Sequence, residues 1–388
     1  MTRRQRKTYV AAADFLRVFA VGLVACFHIW QQAWFDPNIR VGSLVIDLQG
    51  VIRRGYMGVD LMLLLSGFLL YLPVARSGEM PRAREFYSRR LRRILPSYLV
   101  AVGVCALLTL RSGGPAYGAP PLWFDLATHL TFTHTFFHGT YLWSSLNVAL
   151  WTLAVEMQFY LLFPLVGRAF LKTPWLTFAA MTVAALGFRI TLSPLSDVSV
   201  LFNQLPAMLD LYACGMLAAH LLAPRLRNGG WPYALGAALC LALILQILWA
   251  QAPYDSRDLN RLQMLWRLPL GVLGGSFLWF GGQWGRRWER AVGNSLTRWC
   301  SAISYNFYIW HQYLAVKLKE WQIPPYILEP PQQYEGRSWQ ALYMLLCFLF
   351  AFDAAAAGTY LIEKPAGRLW DRLSRKDQAP ARGEHHAQ

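Results

Sequence analysis

Mostly apolar stretches near twenty residues long recur along the whole chain. They lie at approximately 14–33, 57–75, 94–111, 147–170, 174–192, 203–222, 232–250, 264–282, 299–319 and 339–361. The hydrocarbon core of a bilayer takes about 20 helical residues to cross. The pattern therefore predicts an all-α, polytopic integral membrane protein of about ten transmembrane helices. Composition agrees: 55% of residues are hydrophobic and only 15% are charged, where a soluble domain carries about 25%.

The runs also divide the chain. Residues 1–13 form a basic head, 14–361 a membrane-embedded core, and 362–388 a polar tail whose end, EHHAQ, reads as disordered. No connection is long enough to fold alone; the longest, 112–146, is rich in Gly, Pro and aromatic residues. No soluble second domain is expected, and no inverted repeat is visible. The head, MTRRQRK, precedes an apolar run as in a signal peptide. No small-residue cleavage site follows, and Trp30, Gln31, Gln32 and Trp34 stand there instead, so the first span is expected to be retained.

Lys and Arg set the orientation. With a cytoplasmic N-terminus, 25 of the 37 basic residues fall on cytoplasmic segments, and an even number of spans returns the C-terminus to the same side. The net charge of +16 would suit nucleic acid. These residues sit in short connections, however, not in a stripe interleaved with aromatics, so topology accounts for them and no nucleic-acid partner is expected. The six cysteines are scattered singly within or beside apolar runs, with no CxxC spacing. They read as small apolar fillers.

Ionisable groups inside a span are costly and are functional candidates for that reason. The first run holds Asp14, Arg17 and His28. Eleven residues from Arg17 to His28 are close to three helical turns, so both lie on one face about 16 Å apart. Imidazole takes up protons near neutrality, which suits a general base that deprotonates a hydroxyl. In GYMGVDLMLLLSGFLLYLP, residues 55–73, Asp60 and Ser66 interrupt an apolar helix, and Gly58 and Gly67 would permit close helix approach. Asp60 reads equally well as the group that orients a base or as half of an ion pair.

The segment FYSRRLRRILPSYL, residues 86–99, places Arg89, Arg90, Arg92 and Arg93 just before a span. The pairs Arg89/Arg92 and Arg90/Arg93 share faces at i,i+3 spacing. Part of this charge serves topology and anionic lipid contact, but four arginines in five positions also suit bidentate phosphate recognition. Glu156 lies mid-span in WTLAVEMQFYLLFPL, with Gln158 and Tyr160 close by. Trp310 and His311 lie within SYNFYIWHQYL, Asp210 within LPAMLDLYACGML, and Asp353 in the last span. His129, His134 and His138 read as polar groups at an outer vestibule. His134 and His138 have i,i+4 metal spacing if helical, but no Glu or Cys ligand is near, so no metal is expected.

Taken together, DFLRVFAVGLVACFH, GYMGVDLMLLLSGFLL, FYSRRLRRILPSYL, WTLAVEMQFYLLFPL, SYNFYIWHQYL and the terminal IEKPAGRL resemble the acyltransferase type 3 superfamily, the O-antigen acetylase-like membrane acyltransferases of bacteria. The resemblance covers nearly the whole chain. It implies about ten spans in the bacterial inner membrane, an acyl-CoA co-substrate (usually acetyl-CoA) and no resident cofactor. The acceptor it implies is a hydroxyl of a glycan, a lipid-linked sugar or a hydroxylated small molecule. It implies His28 as the catalytic histidine, Arg17 as its support, and donor binding at Arg89–Arg93. Glu156 matches the acidic position of a WSLSVEEQFY-like motif. Thr152, Ala154 and Met157 depart from that motif, and Met208 stands where an Arg two before Asp210 is common.

On this reading Glu156 or Asp60 fixes the His28 tautomer. Trp310 or an arginine meets the oxyanion, and Ser66, Asp210 and His311 complete the substrate site. The competing reading is a proton-coupled transporter or a flippase for lipid-linked substrates, with the same groups as a proton relay.

Overall fold

The computed structural model describes residues 9–42, 44–223, 229–251, 259–284 and 286–376. Most of the expected basic head, Arg225, Arg227 and the tail beyond 376 lie outside these residues. In lipid a helix meets all its backbone hydrogen-bond needs internally, and helices dominate. They are α1 (Ala11–Ala33), α2 (Gly58–Ser77), α3 (Ala83–Arg111), α4 (Trp151–Lys172), α5 (Pro174–Leu192), α6 (Leu209–Leu222), α7 (Trp231–Ala250), α8 (Leu259–Gln283), α9 (Ser295–Glu320), α10 (Gly336–Ala357) and α11 (Lys364–Lys376). A π-helical turn, Gly358–Glu363, joins α10 to α11. The one departure from an all-α fold among the described residues is a hairpin of two three-residue strands, β1 (Ile39–Val41) and β2 (Leu44–Ile46).

Eight of the described helices are long and apolar enough to cross a bilayer. The helices α8 and α9, at 25 and 26 residues, are longer than most of these, but polar groups lower their hydropathy. The protein is a multi-pass membrane protein. Expected boundaries hold to within a few residues for most spans. The largest extension is α3, which begins at Ala83 and carries its arginines on the helix itself. Within the expected tail, Lys364–Lys376 form helix α11.

The centre of the bundle is α2. It packs between α1 and α6, and α8 covers both α2 and α6. Lipid supplies no hydrophobic drive between helices, so close packing has to hold them together. Gly58 and Gly67 allow it: a Cβ at Gly58 would collide with the Ala20 carbonyl oxygen of α1, and one at Gly67 with the Tyr212 carbonyl oxygen of α6. Helix α9 runs parallel to α1 and packs along its length, while α10 closes over α9.

Candidate active site

Three rungs of polar contact join α1 to α9. At the end of the bundle that carries Arg89–Arg93, the arginine end, Ser301 of α9 donates to Asp14 at 2.6 Å and accepts from Arg17 at 3.3 Å. Two to three turns further on, the His28 and His311 rings lie 5.4 Å apart, inclined by 46°. At the far end Lys319 donates to the Gln32 carbonyl at 3.0 Å. The polar stripe expected on α1 therefore exists, and its partner is α9.

The tautomer of His311 is defined by a backbone carbonyl. His311 is buried, and its Nδ1 lies 2.7 Å from the Tyr308 carbonyl oxygen. A carbonyl only accepts, so Nδ1 carries the hydrogen and Nε2 keeps its lone pair. That Nε2 is buried without a hydrogen-bond partner. His28 Nδ1 lies 3.1 Å from Gln31 Oε1; with that amide oxygen accepting, the Nε2 lone pair is likewise available. Gln31, one turn on from His28, was not singled out from the sequence; an amide at i+3 on the same face was the signal for it.

Neither acid expected to orient His28 is bonded to it. Glu156 of α4 accepts from Ser66 at 2.8 Å and from Tyr160 at 2.6 Å. These groups, with Arg17, Arg90 and Arg93, line a cavity of about 100 Å³ whose lining also includes Thr152, Ser304 and Tyr308. Arg90 lies over the rings of Phe86 and Tyr160, at 5.7 and 5.9 Å. Glu156 and Ser66 thus sit beside Arg17, at the start of the stripe rather than at His28.

Asp60 is committed elsewhere. Arg267 of α8 lies 3.2 Å from it, Gln263 donates to it at 3.3 Å, and both charged side chains are fully buried. Arg267 also donates to Asn203 at 2.6 Å and to the Phe202 carbonyl. Asp210 forms a buried ion pair with Arg189 of α5, so the arginine two positions before Asp210 is replaced by one from another helix. A carboxylate buried in a membrane bundle requires a nearby cation. Asp60 and Asp210 each meet that requirement with an arginine from another helix. Trp310 also departs from expectation: one residue from His311, it turns about 100° away round the helix and packs edge-on against Tyr313.

The arginine cluster divides as its spacing predicts. Arg90 and Arg93 face the inner cavity, whereas Arg89, Arg92 and Arg93 line an open groove of about 650 Å³ between α3 and α11. Arg93 belongs to both. Arg89 pairs with Glu85 at 2.8 Å, and Arg92 pairs with Asp371 of α11.

The loop histidines do not form a vestibule. His129 and His134 are buried and stacked at 3.9 Å with planes 3° apart. His129 Nδ1 lies 3.1 Å from Asp125, which also accepts from Ser144 at 2.9 Å and from the Ser145 amide at 3.0 Å. His138 starts a separate short helix, His138–Leu142, and points outward. Hence His134 and His138 share no helical face. Burial, with the neighbouring His129 second, holds the His134 imidazole well below its ordinary range.

The helical bundle thus carries paired imidazoles in its core and an arginine-lined cleft at one end. The acyltransferase domain family matches residues 10–356, and the chain belongs to that family: it is an acyl-transferring enzyme. The match ends before the IEKPAGRL segment.

The chain is 25% identical over 264 residues to the acetyltransferase-designated ORF330 protein of Acidianus two-tailed virus, covering 66% of this chain. It is 26% identical over 241 residues to the acyltransferase MdmB of Streptomyces mycarofaciens, covering 58% of this chain. It is also 26% identical over 187 residues to the peptidoglycan O-acetyltransferase OatA of Listeria monocytogenes, covering 44% of this chain. The alignments span 70%, 60% and 26% of the lengths of these three proteins, respectively. No solved structure matches the chain.

Proposed function

We propose that the protein moves an acyl group, acetyl above all, from cytoplasmic acyl-CoA to a hydroxyl of a cell-surface glycan, a lipid-linked sugar or a related small molecule. The proposed topology has ten crossings of the bacterial inner membrane with both ends cytoplasmic, so that α8 and α9 span despite their polar groups. The observation that carries this reading is the His28–His311 pair, with the Nε2 lone pair of each ring left unbonded on a polar stripe that begins at Arg17 and the arginine-lined cavity. The acetyltransferase names of the relatives support the acetyl group, and the OatA name supports a glycan acceptor.

In this mechanism Arg89, Arg90, Arg92 and Arg93 hold the donor's phosphates, and its pantetheine arm extends along the stripe toward His28. His28 Nε2 removes the acceptor's hydroxyl proton while the oxygen attacks the thioester carbonyl. The tetrahedral intermediate then collapses: the carbon–sulfur bond breaks, and the CoA sulfur leaves with the proton returned by His28. Gln31 takes the tautomer-fixing role that a carboxylate holds in other bases. Arg17, held by Ser301 beside Asp14, stabilises negative charge at the start of the stripe, and Glu156 with Ser66 shapes the donor's passage. The test is His28→Ala assayed for acyl transfer in membranes. Loss of transfer at normal expression is expected; full retention would overturn the reading.

A further inference from the structure

The groove between α3 and α11 has a wall outside the matched family domain. Helix α11 presents Lys364, Arg368 and Asp371 at i, i+4 and i+7, which is one helical face. All three line the groove opposite Arg89, Arg92 and Arg93. Five cations therefore converge on one open cleft, from two helices far apart in sequence. Their excess over the carboxylates at the cleft, Glu363 and Asp371 in its lining and Glu85 paired with Arg89, leaves it net positive. Two contacts dock α11 here: the Arg92–Asp371 ion pair, and a hydrogen bond of 3.1 Å from the Trp370 indole to Ser88. Arg93 lines both this cleft and the cavity beside Arg17 and Glu156.

We infer that α11 is the second wall of the donor's phosphate site, with Lys364 and Arg368 as binding residues and Asp371 as a built-in anion that phosphate displaces from Arg92. This rests on the acyl-CoA reading above. The nucleotide end of CoA carries a pyrophosphate and a ribose phosphate, a polyanion that a single arginine face matches poorly and a two-walled cationic cleft matches well. The Arg92–Asp371 pair is partly exposed on both sides, at 30% and 51%. Solvent-screened pairs of this kind contribute little, so exchanging the carboxylate for a phosphate is cheap. Anionic lipid headgroups carry the same chemistry at a membrane surface, and the experiment separates the two sources.

Full-length protein is reconstituted in nanodiscs of phosphatidylcholine alone, and coenzyme A binding is titrated for wild type, Lys364→Gln/Arg368→Gln, Asp371→Asn and Arg372→Gln. The double variant is expected to bind CoA roughly tenfold more weakly, to raise the KM for acyl-CoA by a similar factor, and to keep its kcat. Asp371→Asn is expected to tighten CoA binding about threefold, since it frees Arg92. Arg372, which does not line the groove, reports on the general charge of the helix and is expected to change nothing.

Simple loosening of α11 would weaken binding in the double variant and in Asp371→Asn alike, so tightening by the latter is the signature of the proposed site. If wild type binds CoA and neither the double variant nor Asp371→Asn shifts the affinity in the expected direction, the α11 wall is wrong and the donor reading stands. If wild type binds no CoA, the donor reading itself fails. If phosphatidylglycerol discs abolish CoA binding to wild type, or if the double variant loses retention on anionic vesicles but not CoA, the cleft is a lipid headgroup site and the inference is overturned.

Discussion

The imidazoles of His28 and His311 stand 5.4 Å apart on helices that are 283 positions separated in the chain. Each has its Nδ1 committed, to Gln31 and to the Tyr308 carbonyl. A proton taken up at one Nε2 is therefore felt at the other. On the proposed mechanism, His311→Phe keeps the ring's packing against Phe307 but removes the second basic nitrogen. It is expected to lower kcat on the order of a hundredfold with little change in the KM for acyl-CoA. Gln31→Leu is expected to cost roughly tenfold by releasing the tautomer. Steady-state kinetics in membranes decide both, and a His311→Phe enzyme of undiminished kcat removes His311 from the chemistry.

Arg93 touches both the groove and the inner cavity, whereas Arg89 is exposed and paired with Glu85. Arg93→Gln should raise the KM for acyl-CoA about tenfold, and Arg89→Gln by less. An unchanged KM for Arg93→Gln at normal expression would assign the cluster to topology alone.

Asp60 and Arg267 predict a stability effect with no catalytic counterpart. Removing one member of a buried pair strands the other charge and costs about 3–5 kcal/mol. Asp60→Leu or Arg267→Met should therefore lower the thermal midpoint in detergent sharply, while Asp60→Leu/Arg267→Met recovers much of the loss. Folded protein from the double variant should transfer acyl groups normally. A folded but inactive double variant would return Asp60 to the reacting site.

The buried His129–His134 stack gives a pH dependence of known sign. Burial, and then His129, hold His134 below its ordinary pKa of 6.5. An unfolded chain then binds a proton that the folded one refuses. Stability is therefore complete above about pH 6.5 and falls as the pH drops through that value. Thermal midpoints between pH 7.5 and roughly 5 should slope downward for wild type and flatten for His134→Phe; equal slopes would exclude His134 as the source.

Local pattern made much of this visible in the sequence. The polar stripe on α1 and the division of Arg89–Arg93 into two faces follow from helical periodicity. The helices themselves follow from runs of apolar residues. The pairings did not show, because a contact such as Asp60 with Arg267, 207 residues apart, leaves no local trace. Glu156, one of the two acids expected beside His28, is bonded to Ser66 and Tyr160 instead. An acid in a span needs some partner, and the sequence cannot choose between His28 and the Ser66, Tyr160 and Arg17 that surround it. The histidines of the 112–146 connection were misplaced for the opposite reason: a left-handed Phe132 and an extended Phe137 redirect the chain there, and periodicity says nothing about loops.

The ladder between α1 and α9 also bears on how the protein is made. A translocon releases a helix into lipid according to its own hydrophobicity. Helix α9, with Ser301, Ser304, Asn306 and His311 buried, is poorly suited to leave alone. Asp14 and Arg17 find a shared hydrogen-bonding partner, Ser301, only when α9 is in place. The face of α1 that carries Asp14 and Arg17 therefore waits on a helix whose Ser301 is made 287 residues after Asp14, and a chain cut before residue 295 has no second wall on which to build a site.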